Sequence, residues 1–111
     1  MRYALLIYVT PWDSTAEQDT EIMNAYNAFT REAVAADVMR GGEALHEAKM
    51  ATSVRVRNGE TLITDGPFAE TVEQISGFFI VTCDDYDALV EAARVLTRAH
   101  PVVEIRPVKK Y

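Results

Sequence analysis

The hydrophobic pattern of the first forty residues predicts a buried strand followed by a long amphipathic helix. Residues 2–9 are almost continuously apolar, which is typical of a strand inside a sheet. Residues 14–17 have the spacing of a capping box. Apolar side chains then recur at helical spacing, at Ile22, Tyr26, Phe29 and Ala33. We therefore expect a helix over about 14–39 that Gly41 and Gly42 stop, since glycine readily adopts the left-handed conformation that closes a helix.

The middle of the chain predicts one short strand and a tight hairpin. A short strand is expected over 43–47. Asn58 and Gly59 supply the two positive φ values of a two-residue hairpin turn, which predicts a hairpin over 53–64. Counting outward from the turn pairs two valines with β-branched partners and so places them on one face: Val54 with Ile63, and Val56 with Thr61.

The last third of the chain predicts a strand, a helix and a strand. Residues 75–82 form an aromatic strand in which Gly77 indicates a bulge or the close approach of another backbone. Asp84 or Asp85 is placed to cap a second helix that ends at His100 and Pro101. Its predicted apolar face consists of Tyr86, Leu89, Val90, Ala93 and Leu96. The final strand covers 102–108 and alternates, with Glu104 and Arg106 on one side.

This order of elements predicts one α+β domain of the ferredoxin-like type. Two long helices among several strands favour a mostly antiparallel sheet with both helices on one face, and the hairpin is then an insertion. A chain of 111 residues is long enough for a single core. The other face of such a sheet is bare, so we expect a homodimer, a dimeric α+β barrel, in which a second copy covers it.

Composition narrows the classes of function. Hydrophobic residues make up 49% and charged residues 25%, the balance of a folded globular protein. Seventeen acidic and eleven basic side chains give a net charge of -6, with the basic ones scattered, which disfavours direct nucleic-acid binding. No stretch approaches the roughly 20 apolar residues that span a bilayer, and the start resembles a strand more than a signal peptide. The single cysteine, Cys83, fits a reducing cytoplasm.

The run at residues 65–71, Asp-Gly-Pro-Phe-Ala-Glu-Thr, places a turn and two carboxylates within seven positions. With residues 1–3, the helix residues around 25–30, the hairpin and residues 103–108, it resembles the YCII-related proteins of the DGPF type over nearly the whole chain. The resemblance implies a small bacterial domain, usually dimeric, on a ferredoxin-like fold, and it implies no particular reaction. Relatives of this type are also encoded beside, or fused to, extracytoplasmic-function sigma factors, which implies a regulatory association.

The chain departs from the proteins that it resembles at several positions, of which one concerns chemistry. Val72 stands where relatives commonly have lysine, and Ser76 and Gly77 stand where they have a glycine pair. Some relatives outside the DGPF branch carry a histidine in the first helix that has been proposed to pair with an aspartate. Tyr26 stands near that position here, so the dyad is not carried over.

Asp65 and His46 are the candidate catalytic residues. Asp65 precedes a Gly-Pro turn, where its carboxylate can either bond the amides of its own turn or act as a general base or ligand anchor. His46 is a potential proton carrier in the predicted strand 43–47, which a sheet can bring near Asp65, or it is an ordinary polar strand residue. His100 is expected to interact with the end of its helix.

Six further residues are candidates for ligand binding. Arg55 and Arg106 can hold an anionic substrate or form cross-strand ion pairs. Glu70 can join Asp65 or be a solvated surface residue. Tyr8 and Tyr26, together with Trp12, can line a pocket or belong to the core. No metal-ligand spacing, phosphate loop or dinucleotide fingerprint occurs, so no metal or cofactor is predicted.

Three functions remain open from the sequence. The first is a domain that binds a small polar ligand near the DGPF turn. The second is a proton-transfer enzyme of isomerase or lyase type on a small organic acid, with Asp65 or His46 as base and Arg55 or Arg106 holding the carboxylate. The third is a protein-interaction module associated with sigma-factor regulation, which requires an exposed apolar patch.

Overall fold

The computed structural model describes residues 1–9, 15–69, 73–97 and 102–110. Within these ranges the α-helices and strands follow the order β1 (Arg2–Val9), α1 (Ala16–Ala35), β2 (Met39–Ala44), β3 (Thr52–Arg57), β4 (Glu60–Asp65), β5 (Gln74–Thr82), α2 (Tyr86–Leu96) and β6 (Val102–Pro107), with one turn of 3-10 helix at Ala48–Met50.

Four of the strands form one antiparallel sheet in the order β2-β5-β1-β6. β1 is therefore an interior strand, as its continuous apolar pattern predicted. One helix joins β1 to β2 and the other joins β5 to β6, which is the ferredoxin-like arrangement. The prediction of an α+β fold with two helices and antiparallel strands is confirmed.

Both helices pack on the same side of this sheet, which we call the covered face. Because successive strand residues point to opposite sides, only alternate residues of β1 and β5 enter this core. The buried cluster consists of Leu5, Ile7, Phe29, Ala33, Phe79, Val81, Leu89 and Leu96. Leu5, Ile7 and Leu96 are completely inaccessible to solvent. The covered face is thus the hydrophobic core of the single chain.

The opposite side of the sheet, which we call the uncovered face, carries no helix of the described chain. Leu6 lies opposite Phe78 on this side, and Tyr8 lies opposite Ile75. Leu6, Tyr8 and Phe78 stay partly accessible, and Ile75 is 40% exposed. The centre of this face is therefore apolar although nothing in the described chain covers it.

β3 and β4 form a separate two-stranded hairpin, which we call the arm. Its register is the predicted one, with Val54 opposite Ile63 and Val56 opposite Thr61. Asn58 and Gly59 have φ values of 53° and 79°, as the turn type requires. Of the arm's strand residues only Ser53 is partly shielded from solvent. The arm extends the molecule, whose radius of gyration is 15.8 Å, whereas a compact chain of this length has about 13 Å.

α1 ends earlier than the sequence suggested, and for a different reason. Asp37 takes the left-handed conformation with φ 56°. The amide of Val38 donates to the Ala33 carbonyl and the amide of Asp37 to the Val34 carbonyl, both at 3.0 Å, which is a Schellman motif. The prediction of a helix reaching about residue 39 and stopped by two glycines is wrong, because aspartate here takes the place usually held by glycine.

Those two glycines lie inside β2 instead. A Cβ atom on Gly42 would come within 2.7 Å of the Phe78 carbonyl oxygen and 2.9 Å of the Phe79 ring, so a side chain does not fit there. The strand predicted over 43–47 is therefore misplaced, because β2 already begins at Met39 and ends at Ala44. His46 follows the strand rather than lying in it.

Three finer predictions had mixed outcomes. Thr15 caps α1: its hydroxyl accepts from the amide of Gln18, and its own amide donates to the Gln18 side chain. The sequence had predicted a capping box that starts at residue 14, which lies outside the described residues. Asp85 caps α2 by accepting from the amide of Ala88 at 3.2 Å, as one of the two predicted caps. α2 ends at Leu96, before the predicted stop at residues 100 and 101, which also lie outside the described residues.

The indication that Gly77 marks a bulge or a close approach is confirmed on both counts. The register between β1 and β5 shifts after Ile7, and Ser76 is the extra residue. A Cβ atom on Gly77 would lie 2.9 Å from the Glu43 carbonyl oxygen of the neighbouring strand. The bulge changes which side of the sheet each residue at the start of β5 faces.

Candidate functional site

A cavity of about 340 Å³ lies where β2 ends and β5 begins, and one predicted catalytic residue lines it. We call it the His46 cavity. Its walls come from the loop after β2, from Pro67 of the DGPF turn (residues 65–68) and from the start of β5. The lining residues are Leu45, His46, Glu47, Ala48, Met50, Ala51, Pro67, Gln74 and Ile75. The structure therefore brings His46 beside the DGPF turn, although the loop and the turn are far apart in sequence.

Backbone hydrogen bonds fix the walls of this cavity. The amide of Leu45 donates to the Ser76 carbonyl at 2.8 Å, which ties the loop to β5. The amide of Gly66 donates to the Ala51 carbonyl at 2.7 Å, which ties the loop to the DGPF turn. Between these two points the single 3-10 turn supplies internal bonds. The imidazole of His46 is thus carried by a loop that is anchored at both ends.

The carboxylate of Asp65 does not line the cavity. Asp65 is the last residue of β4, pairs with Thr52 and is exposed. Its carboxylate accepts no hydrogen bond within the described residues. Instead the hydroxyl of Ser53 donates to the Gly66 carbonyl at 2.8 Å and, together with the Gly66 amide, holds the turn. The structure does not bring Asp65 and His46 together in one pocket, nor does it show the carboxylate bonded to its own turn.

Arg55 contacts the DGPF turn from the arm. Its guanidinium lies 5.1 Å from the ring centroid of Phe68, whose side chain is otherwise 78% exposed. This is cation–π geometry. Arg55 therefore ties the turn to the arm, and it lies outside the lining of the His46 cavity.

Tyr8 and Arg106 meet on the uncovered face. The hydroxyl of Tyr8 donates to Oε1 of Glu104 at 3.1 Å, and Nη2 of Arg106 donates to the same oxygen at 2.9 Å. Burial and then the hydrogen bond to Glu104 raise the pKa of the Tyr8 phenol, and Arg106 partly opposes that rise. Two predicted ligand residues thus form one polar cluster, whose shared partner Glu104 the sequence had placed beside Arg106.

Tyr26 contacts the sheet from α1. Its hydroxyl is 3.0 Å from Oγ of Ser76, the bulge residue, and its ring lies 5.7 Å from that of Phe79. Burial raises the pKa of the Tyr26 phenol, and the hydrogen bond with Ser76 opposes that rise. Tyr26 also borders a cavity of about 210 Å³ between α1 and β2. The sequence analysis did not predict that Ser76 forms the bulge and is hydrogen-bonded to Tyr26. The available signal was that Ser76 stands where relatives have the first residue of a glycine pair.

Other predicted features are outside the described residues or are already paired. Glu70, Trp12 and His100 lie outside the described residues. The thiol of Cys83 donates to the Asp85 carbonyl at 2.9 Å.

In the part of the chain that the structure describes, no three His, Cys, Asp or Glu side chains are grouped to hold a metal ion. Neither described helix has the length and apolar character needed to cross a membrane.

Comparison with known proteins places this geometry in a family. An uncharacterized protein of Rhizobium meliloti (strain 1021) is 34% identical, in a match covering 100% of this chain and 94% of that protein. Among solved structures, the divalent cation tolerance protein CutA1 of Thermus thermophilus is similar with a TM-score of 0.47 and 15% identity, over 100% of this chain and 87% of that one. The model of the YCII-related domain matches residues 1–111. The chain belongs to the YCII-related domain family.

Proposed function

We propose that this protein is a homodimeric domain that binds a small polar ligand in the His46 cavity, beside the DGPF turn. The observation that carries the proposal is the cavity itself, about 340 Å³ in volume and walled by hydrogen-bonded backbone. Ligand pockets commonly have volumes of roughly 300–1,000 Å³. We assign the chain to the DGPF branch on its residues 65–68 and to the bacterial cytoplasm on its resemblance and its single cysteine.

The lining favours a small organic acid with a short apolar body. Leu45, Met50 and Ile75 are 49%, 63% and 40% exposed at the cavity and supply apolar contact area. His46 can donate a charge-assisted hydrogen bond to a carboxylate when its imidazole is protonated. Glu47, the one acidic residue of the lining among the residues that the structure describes, is engaged by Lys49 at 3.0 Å, which reduces its repulsion of an anion.

The uncovered face supports the proposed homodimer. A second copy related by a two-fold axis would bury its apolar centre, because the same patch serves both partners. Ile75 belongs both to this face and to the lining of the His46 cavity. Dimerisation would therefore also shield the cavity from solvent on that side, which strengthens polar contacts inside it.

A thermal-shift screen of small organic acids tests the ligand proposal. A ligand present at about 100 times its dissociation constant adds roughly 2.7 kcal/mol of stability. We expect at least one acid to stabilise the wild type and to lose most of that stabilisation in His46→Gln. Asp65→Asn is the matched control and should respond as the wild type does. No stabilising acid, or equal stabilisation of His46→Gln, would refute a ligand site at His46.

Two alternative functions each have one observation in their favour. A proton-transfer enzyme is supported by His46, which lines the cavity as a potential base, and would need turnover of an acid that binds there. A protein-interaction module is supported by the arm, whose Val54, Val56 and Ile63 are 64%, 69% and 69% exposed. A stable complex with an extracytoplasmic-function sigma factor in sedimentation, lost in Val56→Lys, would favour that module.

A further inference from the structure

We propose that the protein has a second ligand site, between its two helices, that takes a small organic amine with an apolar body. The site is a cavity of about 240 Å³ between the C-terminal half of α1 and the N-terminal half of α2. We call it the interhelical cavity. Its lining includes Cys83, just after β5 ends, whereas the His46 cavity adjoins the beginning of β5. At about 3.3 Å per strand residue, roughly 20 Å separates the two sites.

The cavity exists because the facing side chains are short. Ala33 of α1 and Ala36, which directly follows α1, face Ala88 and Ala92 of α2 across the gap. Methyl groups do not fill the space that remains when both helices rest on the same sheet. An unfilled apolar space forfeits the dispersion contacts that its lining would otherwise make. Filling this space with an apolar group therefore stabilises the complex without rearranging the fold.

The floor of the cavity is part of the buried core. Phe29, Val81 and Leu89 are only 7%, 2% and 4% exposed. An enclosed apolar cavity of about 150 Å³ is already large enough to hold benzene. A volume of about 240 Å³ accommodates a benzene-sized ring with a short side chain. The body of the ligand is therefore aromatic or compactly aliphatic.

The mouth of the cavity favours positive charge. The exposed residue Glu32 lines the cavity, and its side chain forms no ion pair with any described residue. α1 has no basic side chain in its last turn, so the partial negative charge of that helix end is not compensated by its own residues. Two positive groups near the cavity already have carboxylate partners. The amino terminus lies 3.8 Å from Asp84, and Arg40 lies 3.7 Å from Asp37. An ammonium group at the mouth meets Glu32 while its apolar body occupies the gap.

Three aromatic probes of similar shape test this site: 2-phenylethylamine, 2-phenylethanol and phenylacetate. Binding is followed by amide chemical shifts, which report separately on Leu89 and Val81 at the interhelical cavity and on His46 and Ile75 at the other site. We expect the amine to shift Leu89 and Val81 and to bind more tightly there than the alcohol, with no binding of phenylacetate at these residues. Phenylacetate shifts at His46 would concern only the proposed organic-acid site.

Substitutions locate the determinants. Glu32→Gln should weaken the amine about threefold, the contribution of an exposed ion pair, and leave the alcohol unchanged. Glu91→Gln, a neutralised carboxylate on α2 outside the lining, is the matched control. Ala92→Leu should fill the cavity and abolish binding of the amine and the alcohol, and Ala88→Leu, at an exposed position, does the same if the first variant is poorly folded. His46→Gln should leave amine binding unchanged.

The proposal fails if the amine and phenylacetate bind equally at Leu89 and Val81, or if no probe shifts these residues at millimolar concentration. It also fails if well-folded Ala88→Leu and Ala92→Leu proteins bind the amine as the wild type does. If the wild type binds no probe and a leucine variant is more stable than the wild type, the gap is only a packing defect.

Discussion

The two faces of the four-stranded sheet are made from the same strands but differ in what covers them. Leu5 and Ile7 of β1 are fully buried beneath the helices, whereas Leu6 and Tyr8, which alternate with them, remain partly accessible. The covered face is closed by residues of its own chain. The uncovered face has an equally apolar centre and, beside it, the cluster of Tyr8, Glu104 and Arg106.

The difference separates two roles within one sheet. Side chains on the covered face determine whether a single chain folds, because their partners are always present. In the proposed homodimer, side chains on the uncovered face gain their partners from the second molecule, so their effects on stability should depend on protein concentration. Substitutions on the two faces can therefore be told apart by dilution.

The largest effect is expected at Phe79 on the covered face. Its ring packs 4.7 Å from that of Phe29 and is 8% exposed. Phe79→Ala should lower the free energy of unfolding by about 3–5 kcal/mol, because it removes a buried ring and leaves a cavity. Urea denaturation followed by circular dichroism measures this loss at two protein concentrations.

The neighbouring Phe78→Ala, on the uncovered face, is the matched control. Its cost should be smaller in dilute solution and should grow with protein concentration. If both substitutions cost the same at every concentration, the two faces do not differ in the way described.

A charge on the uncovered face should prevent dimerisation. Ile80 lies opposite Ala4 on that face. The wild type should sediment at twice the chain mass of 12.4 kDa, and Ile80→Glu should weaken association by about 2 kcal/mol or more, since a buried unpaired charge is costly. Val90→Glu, the same change at a 40% exposed position of α2, should leave the dimer intact. A monomeric wild type would overturn the assignment of this face.

Two adjacent glycines of β2 allow the two faces to be compared at single residues. A Cβ atom on Gly42 would meet backbone oxygen at 2.7 Å, whereas one on Gly41 would meet only the Ile80 side chain at 3.9 Å. Gly42→Ala should lower stability by about 1–3 kcal/mol through overpacking. Gly41→Ala should change it by less than about 0.5 kcal/mol. Chemical denaturation of both variants checks the contrast, and equal losses would contradict it.

The smallest effect is expected at Tyr8, where pH provides the test. The pKa of its phenol is raised from 10.0 in the folded protein, first by burial and then by Glu104. The folded state therefore holds the proton more tightly, and this stabilisation is complete below pH 10 and lost as pH rises through the folded-state pKa. Tyr8→Phe should cost about 1 kcal/mol or less at neutral pH.

The difference in unfolding free energy between wild type and Tyr8→Phe should shrink as pH is raised from 9 to 11. A difference that stays constant or grows over that interval would show that the Tyr8 phenol is not held in its protonated form. Urea titrations of both proteins at each pH supply the values.

The sequence predicted most of the fold because local patterns are decisive where they are unambiguous. Asn58 and Gly59 set the register of the arm, and the continuous apolar run of β1 placed that strand inside the sheet. The end of α1 could not be predicted, since apolar residues continue beyond it and Asp37 adopts a conformation that aspartate takes only occasionally. The glycines that were expected to mark the end instead serve packing within a strand.

The candidate site was less predictable, because cavities arise between segments that are distant in sequence. His46 could be selected for its chemistry, but the loop and turn that surround it are brought together by hydrogen bonds such as that between Gly66 and Ala51. Nothing in the pattern around Asp65 indicated that its carboxylate would lie outside the cavity. The facing alanines of α1 and α2 look like an ordinary helix surface, so the gap between them was not visible from spacing.

The arm leaves the domain and returns to it at one point, since Thr52 and Asp65 are paired at its base. No strand of the four-stranded sheet depends on its hydrogen bonds. Its length can therefore change by whole cross-strand residue pairs at Asn58 and Gly59 while the core and both cavities stay as they are. The length of the arm, and with it the distance at which the protein contacts another molecule, can therefore change without a change in the stability of the fold.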